Sequence, residues 1–143
     1  MNNDFHGVKL ALLHDDQILI YLRDNKPGLR FAGLWDLPGG GREGNETPEE
    51  TAIREVNEEF GIILSPDQFI FKKTYPSMHL PNVSTRFMVG NITKEQIDSI
   101  VFGSEGQEYK LVKIDEYLQM SDAVSPLQDR LAEYIRTTTP INS

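Results

Sequence analysis

The chain has 143 residues and no cysteine. That excludes disulfides, zinc–thiolate centres and thiol catalysis. No run approaches the ~18 consecutive apolar residues that a membrane span needs. The start, Met1-Asn2-Asn3-Asp4, lacks the basic-then-apolar order of a signal peptide, so a cytoplasmic location is expected. Basic residues are scarce as well: 14 Lys and Arg stand against 22 Asp and Glu, a formal net charge of −8. Such a surface repels a nucleic-acid backbone unless a basic patch opposes it, and Lys72-Lys73 is the only adjacent basic pair. Neither nucleic acid nor membrane is therefore expected as a partner. A small phosphorylated ligand stays compatible, because a bound cation inverts the local field.

What is present is ordinary for a globular protein: 38% hydrophobic and 25% charged residues. This length predicts one domain, residues 1–143, with a single sizeable core. Val8 to Leu13 and Gln17 to Arg23 read as strands joined through His14-Asp15-Asp16. Asp24 to Arg30 reads as a loop. Further strands are expected over Gln68–Tyr75, Val83–Val89 and Tyr109–Ile114. Between the first two, Tyr75 to Asn82 carries Pro76 and Pro81 and reads as a loop of the kind that holds specificity. Gly103 to Gln107 reads as another loop. Thr93 caps a short helix to about Ile100. Ser125-Pro126 opens a last helix to about Arg136, whose Leu127, Leu131, Tyr134 and Ile135 form a docking stripe. Thr137 to Ser143 reads as a frayed tail. His6 and His14 sit on strand edges and read as surface residues, and Trp35 reads as a packing residue. Strands interleaved with two longer helices define an α/β protein, a mixed sheet with helices packed on it.

The most informative stretch is Gly40 to Ile62. Thr47 is a good N-cap, Pro48 suits the first helical position, and Glu50 completes a capping box. Gly61 suits the left-handed position past the end. Ala52, Ile53, Val56 and Phe60 form one apolar arc, and Glu55, Glu58 and Glu59 fall on the adjoining arc. Three carboxylates on one face repel each other. A hard cation relieves that repulsion: Mg²⁺ takes oxygen ligands at about 2.1 Å and is commonly shared with substrate phosphates. An acidic face alone is commonly solvated surface, so the flanking residues decide.

Read in full, the stretch is G-x5-E-x7-R-E-U-x-E-E-x-G-U, with U a bulky aliphatic. Gly40, Glu46, Arg54, Glu55, Val56, Glu58, Glu59, Gly61 and Ile62 fill every specified position. At average residue usage such a match arises on the order of once in 10⁹ to 10¹⁰ starting points. It resembles the Nudix box, the signature of the Nudix hydrolases. The preceding Trp35-Asp36-Leu37-Pro38-Gly39-Gly40 is similar to the family's W-x-x-P-G-G lead-in.

The resemblance implies an α/β/α sandwich with a mixed, partly curled sheet. It implies Mg²⁺, with Mn²⁺ as a substitute, and a small nucleotide as substrate. Glu55, Glu58 and Glu59 match the metal-holding positions, and Gly39 matches a glycine whose carbonyl can join them. Arg54 and Glu46 match the pair that braces loop and helix. Glu105-Gly106-Gln107 resembles an E-G-Q segment of MutT-like members, which makes Glu105 a fourth acid, with Glu108 as its rival. Glu59 and Glu105 both stand as the base. MutT-like members read an oxidised purine with an asparagine before the last helix. Here that region is Asp122-Ala123-Val124-Ser125, with Asp122 or Ser125 as substitutes. Arg23, Arg30 and Arg86 are candidate phosphate contacts, and Phe31, Tyr75 and His79 candidate base-stackers. The activity implied first is hydrolysis of a nucleoside triphosphate to the monophosphate and pyrophosphate. A nucleotide-sugar or dinucleoside-polyphosphate hydrolase, and a non-catalytic nucleotide-binding module, are the alternatives. Monomer and homodimer both stay open.

Overall fold

The computed structural model describes residues 4–104 and 106–138. Glu105 and the end of the expected tail lie outside the described residues. In chain order the elements are β1 (Gly7–His14), β2 (Gln17–Arg23), β3 (Trp35–Asp36), β4 (Gly39–Gly41), α1 (Pro48–Phe60), β5 (Phe69–Pro76), β6 (Ser84–Asn91), α2 (Lys94–Asp98), β7 (Gly106–Lys113), α3 (Ile114–Leu118) and α4 (Ser125–Thr138).

Seven strands form one mixed sheet among the described residues, in the order β3-β2-β1-β6-β5, with β4 also on β1 and β7 also on β2. β1 and β6 run parallel in register from Gly7↔Thr85 to Leu13↔Asn91. The other pairs are antiparallel. β1 meets β2 only near their turn, at Leu13↔Ile18 and His14↔Gln17. Beyond that point the two strands part. β1 takes β4 at its Gly7 end, and β2 takes β7 along its length. The sheet therefore splays and is not closed.

Side-chain alternation explains the layers. Successive residues of a strand face opposite sides. Leu10, Leu12 and Leu19 pack with Val56 and Phe60 of α1. Ala11, Leu13, Ile18 and Ile20 pack with Leu127 and Leu131 of α4. Both faces of the central strands are thus buried under a helix, which gives the expected α/β/α sandwich. Burial of each such large aliphatic side chain contributes roughly 1.5–3 kcal/mol before entropy is subtracted.

The α1 boundaries are those read from the sequence. The Thr47–Glu50 capping box is complete, and Gly61 takes φ 68° with its N–H on Asn57 O. The Thr93–Gln96 capping box of α2 is also formed. Four elements differ from expectation. β3 and β4 are too short, and β4 too glycine-rich, to show any alternation; they form because β1 and β2 offer free edges. β7 begins at Gly106 inside the expected loop, because pairing with β2 outweighs weak local strand propensity. Ile114 opens α3 instead of closing the strand. Among the described residues no helix is long and apolar enough to cross a membrane.

Candidate active site

The site is built where β4 meets α1. β4 lies antiparallel to β1, pairing Lys9 with Gly39, Val8 with Gly40 and Gly7 with Gly41. Gly39 has φ +146°, and a Cβ there would stand 2.1 Å from Val8 O. Only glycine lets the backbone come this close. A Cβ on Gly40 would meet the carboxylate of Glu55 at 2.3 Å. The bare glycine strand is therefore the floor under the acidic face of α1.

The three acids of α1 sit at different depths. Glu59 is 3% exposed, and its Oε1 accepts from the Gly39 N–H at 3.2 Å. Glu55 lies half-buried over Gly40. Glu58 is at the rim. Arg54 binds the group together. Its Nη1 donates to Glu55 at 3.0 Å and to Glu58 at 3.4 Å. Its Nε and Nη2 donate to the two oxygens of Glu46 at 2.7 and 3.0 Å. Nη2 also donates to Gly41 O at 2.7 Å. Glu46 further accepts from Glu43 N at 2.9 Å and Thr51 Oγ1 at 3.0 Å. The Arg54 hydrogen bond, with the smaller contributions of these two donors, holds the Glu46 carboxyl at about 2, well below its ordinary 4.5. Glu46 in turn pushes the Arg54 guanidinium up. A bidentate arginine–carboxylate pair fixes orientation as well as charge, and Arg54 thereby ties the loop Gly41–Glu46 to Glu55 and Glu58 of α1.

A second polar cluster lies beside this one and has no signal in the sequence. Asp36 is 1% exposed. Its Oδ2 accepts from Lys9 Nζ at 2.9 Å and from Arg23 Nη1 at 3.1 Å, and its Oδ1 accepts from Leu37 N at 2.7 Å. Tyr21 lies next to it, and burial, then the charges of Asp36 and Glu59, push its hydroxyl far up. Tyr21 is therefore neutral. Asp36 stands in a two-residue strand beside the only tryptophan, and a buried acid in such a place is not visible from periodicity. Trp35 itself is packed into the core, with Lys110 Nζ 4.4 Å from its ring centroid.

Next to the glycine strand opens a cleft of about 270 Å³, lined among others by Gly40, Gly41, Lys9, Arg30, His79 and Arg130. Arg30 and His79 are thus brought together with the loop of the site. Burial, then the neighbouring Arg30 and His6, lower the His79 imidazole from its ordinary value. The other candidate contacts lie elsewhere. Arg23 is held by Asp36 and by Arg30 O at 2.9 Å. Phe31 takes φ 59° and packs on the core under α4. Tyr75 donates its hydroxyl to Glu133. Burial first, then that bond, raises its pKa to about 12. Arg86 is 6% exposed and lies 5.3 Å from the Phe5 ring centroid. Glu108 is exposed on β7 opposite Leu22. Asp122 gives its carbonyl to Trp35 N at 2.9 Å. Sequence reasoning missed Lys9, Asp36 and Arg130, each of which reads alone as a surface charge.

The chain matches the NUDIX domain family over residues 6–135. An 8-oxo-dGTP diphosphatase of Haemophilus influenzae is 32% identical over 110 residues, 76% of this chain and 76% of that protein. An 8-oxo-dGTP diphosphatase of Proteus vulgaris is 57% identical over 32 residues, 22% of this chain and 29% of that protein. Several curated relatives are matched over only 14% to 29% of their own length. The crystal structure of a MutT protein from Methanosarcina mazei Go1 shares the fold with a TM-score of 0.74, at 22% identity across 98% of this chain and 99% of that one. The chain belongs to the NUDIX domain family.

Members of this family use divalent cations, and the residues present fit one in kind. The donors on the α1 face are all hard carboxylate oxygens, next to a strand stripped of side chains where a single Cβ would strike Glu55. As placed, Arg54 supplies the positive charge between Glu55 and Glu58. Among the described residues no three acidic or histidine side chains converge into a ready-made metal cluster.

Proposed function

We propose that this chain is a Mg²⁺-dependent pyrophosphohydrolase, also served by Mn²⁺, that converts a nucleoside triphosphate to the monophosphate and pyrophosphate in the cytoplasm. The observation that carries this reading is the Arg54 brace. One guanidinium holds Glu46, Glu55 and Glu58 against the glycine strand, and that strand also walls the cleft.

A diphosphate resists attack because its oxygens repel the incoming nucleophile. Glu55, Glu58, Glu59 and the Gly39 carbonyl are the groups that would hold the cation. A divalent ion bound there supplies charge neutralisation at the phosphate oxygens and an acidified water. The chain's own residues supply the rest. Lys9, steadied by Asp36 at 2.9 Å, and Arg30 bring positive charge to the cleft wall. The Gly39 N–H holds Glu59 at the floor. Glu59 and Glu105 are the two carboxylates suited to take the proton of the attacking water.

The test is a panel of nucleoside triphosphates, nucleotide sugars and dinucleoside polyphosphates with Mg²⁺, with and without chelator, and with products resolved by chromatography. Chelator-sensitive release of pyrophosphate from a triphosphate supports the proposal. Two phosphorylated halves from a sugar or dinucleotide would assign the chain to that substrate class instead. No turnover across the panel would make it a nucleotide-binding module.

A further inference from the structure

Arg130 is an unusual cation in this protein. It rises from α4, is only 7% exposed, and lies 4.6 Å from the Tyr75 ring centroid. Its Nη2 donates to Pro76 O at 3.0 Å. A guanidinium carries five N–H donors, and this is its one hydrogen bond to a protein acceptor among the described residues. No carboxylate among the described residues forms an ion pair with it. Glu133, one turn further along α4, is taken by Lys73 at 2.6 Å and by the Tyr75 hydroxyl. Burial accordingly lowers the Arg130 pKa from its ordinary value. A buried charge without a counter-charge is costly, and it is tolerated where a ligand brings the acceptors.

Arg130 lines the cleft together with two further cations, Lys9 and Arg30. Lys9 and Arg30 are donors only, and no Asp, Glu, Asn or Gln lines the cleft. Thr85 lines it too, and its Oγ1 is buried without a hydrogen-bond partner. Such a wall suits a base edge made of acceptors. Guanine offers O6 and N7 and thymine offers O4, whereas adenine places an amino donor where guanine has O6. Arginine pairs bidentately with the guanine edge, and the asparagine or glutamine that would serve adenine is missing from the wall.

We infer that Arg130 is a specificity-determining residue that reads the carbonyl edge of a keto nucleobase, so that guanine and thymine nucleotides are preferred to adenine nucleotides. This rests on the reading of the cleft as a nucleotide site.

The experiment has two arms. In the first, kcat/KM is measured for dGTP, dTTP and dATP on the native protein and on R130Q and R130K. The native protein prefers the keto nucleotides by about ten-fold or more, the scale of one good base contact. R130Q loses most of that preference. R130K keeps the charge without the fork and falls between. Equal loss on all three nucleotides in R130Q, which a phosphate contact or a purely structural role would give, overturns the assignment. So does a native protein without a keto preference. In the second arm, metal-free calorimetry compares GMP with AMP on the same proteins. If nothing is hydrolysed, the hydrolase reading falls, while the GMP-to-AMP ratio still decides the role of Arg130. Thermal melts of each variant guard against misfolding, and if R130Q does not fold, R130K and the native ratios decide.

Discussion

Arg54 grips Glu46 along both carboxylate oxygens, at 2.7 Å from Nε and 3.0 Å from Nη2. The two residues are eight apart in sequence. The pair closes the loop between β4 and α1 and points the remaining Nη1 edge of the arginine at Glu55 and Glu58. One side chain thus shapes the loop and offsets the charge of two of the acids.

The first prediction concerns this pair and pH. The folded pKa of Glu46 is depressed to about 2 from 4.5. Its stabilisation is therefore complete above the unfolded value and drains as pH falls through 4.5 toward 2. E46Q loses about 1 kcal/mol at neutral pH, a figure kept small because the pair is partly solvated. Paired thermal melts of the native protein and E46Q will show the widest Tm gap at neutral pH and a closing gap in that acid window. A gap that widens on acidification contradicts the account.

Gly40→Ala separates activity from stability. The added methyl meets the Glu55 carboxylate at 2.3 Å. That carboxylate is the far end of a flexible side chain and can swing away. The fold survives with a small change in Tm, while the misplaced acid lowers turnover by about 10²-fold. Steady-state kinetics beside a thermal melt checks both halves.

Gly39→Ala behaves in the opposite way. Its methyl would meet backbone, Val8 O at 2.1 Å and Lys9 Cα at 2.9 Å, at a φ of +146°. Backbone cannot swing aside, so the β1–β4 pairing breaks. Denaturant unfolding will show a loss of about 3 kcal/mol or more, against less than that for Gly40→Ala.

The helix α1 was legible to the residue because its capping box, its N1 proline and its C-terminal glycine are all local features. The spacing of Glu55, Glu58 and Glu59 was legible for the same reason, since helical geometry fixes which residues share a face. The longer strands were legible from alternation, within one or two residues at their ends, except that β7 begins three residues before the expected Tyr109. What could not be read was set by distant partners. β4 is three glycines that become a strand only because β1 lies beside them. Asp36 becomes a buried anchor only because β1 and β2 bring Lys9 and Arg23 to it. Arg130 reads as one polar residue of an amphipathic helix until Tyr75 and Pro76 close over it. Tyr75 and Arg86, candidate ligand contacts by their chemistry, lie against the rings of Phe87 and Phe5, neighbours that their own sequence positions do not announce.

The central claim, that the acids of α1 do the chemistry, is tested most directly through Glu59. Glu59→Gln keeps an oxygen to accept the Gly39 N–H at the 3.2 Å contact, so the fold is preserved, but the charge and the basicity are gone. Pyrophosphate release from the best triphosphate is measured for the native protein and E59Q with Mg²⁺, alongside a thermal melt of each. The account predicts an unchanged fold and a turnover lower by at least about 10²-fold. An E59Q protein that turns over as fast as the native one would contradict it.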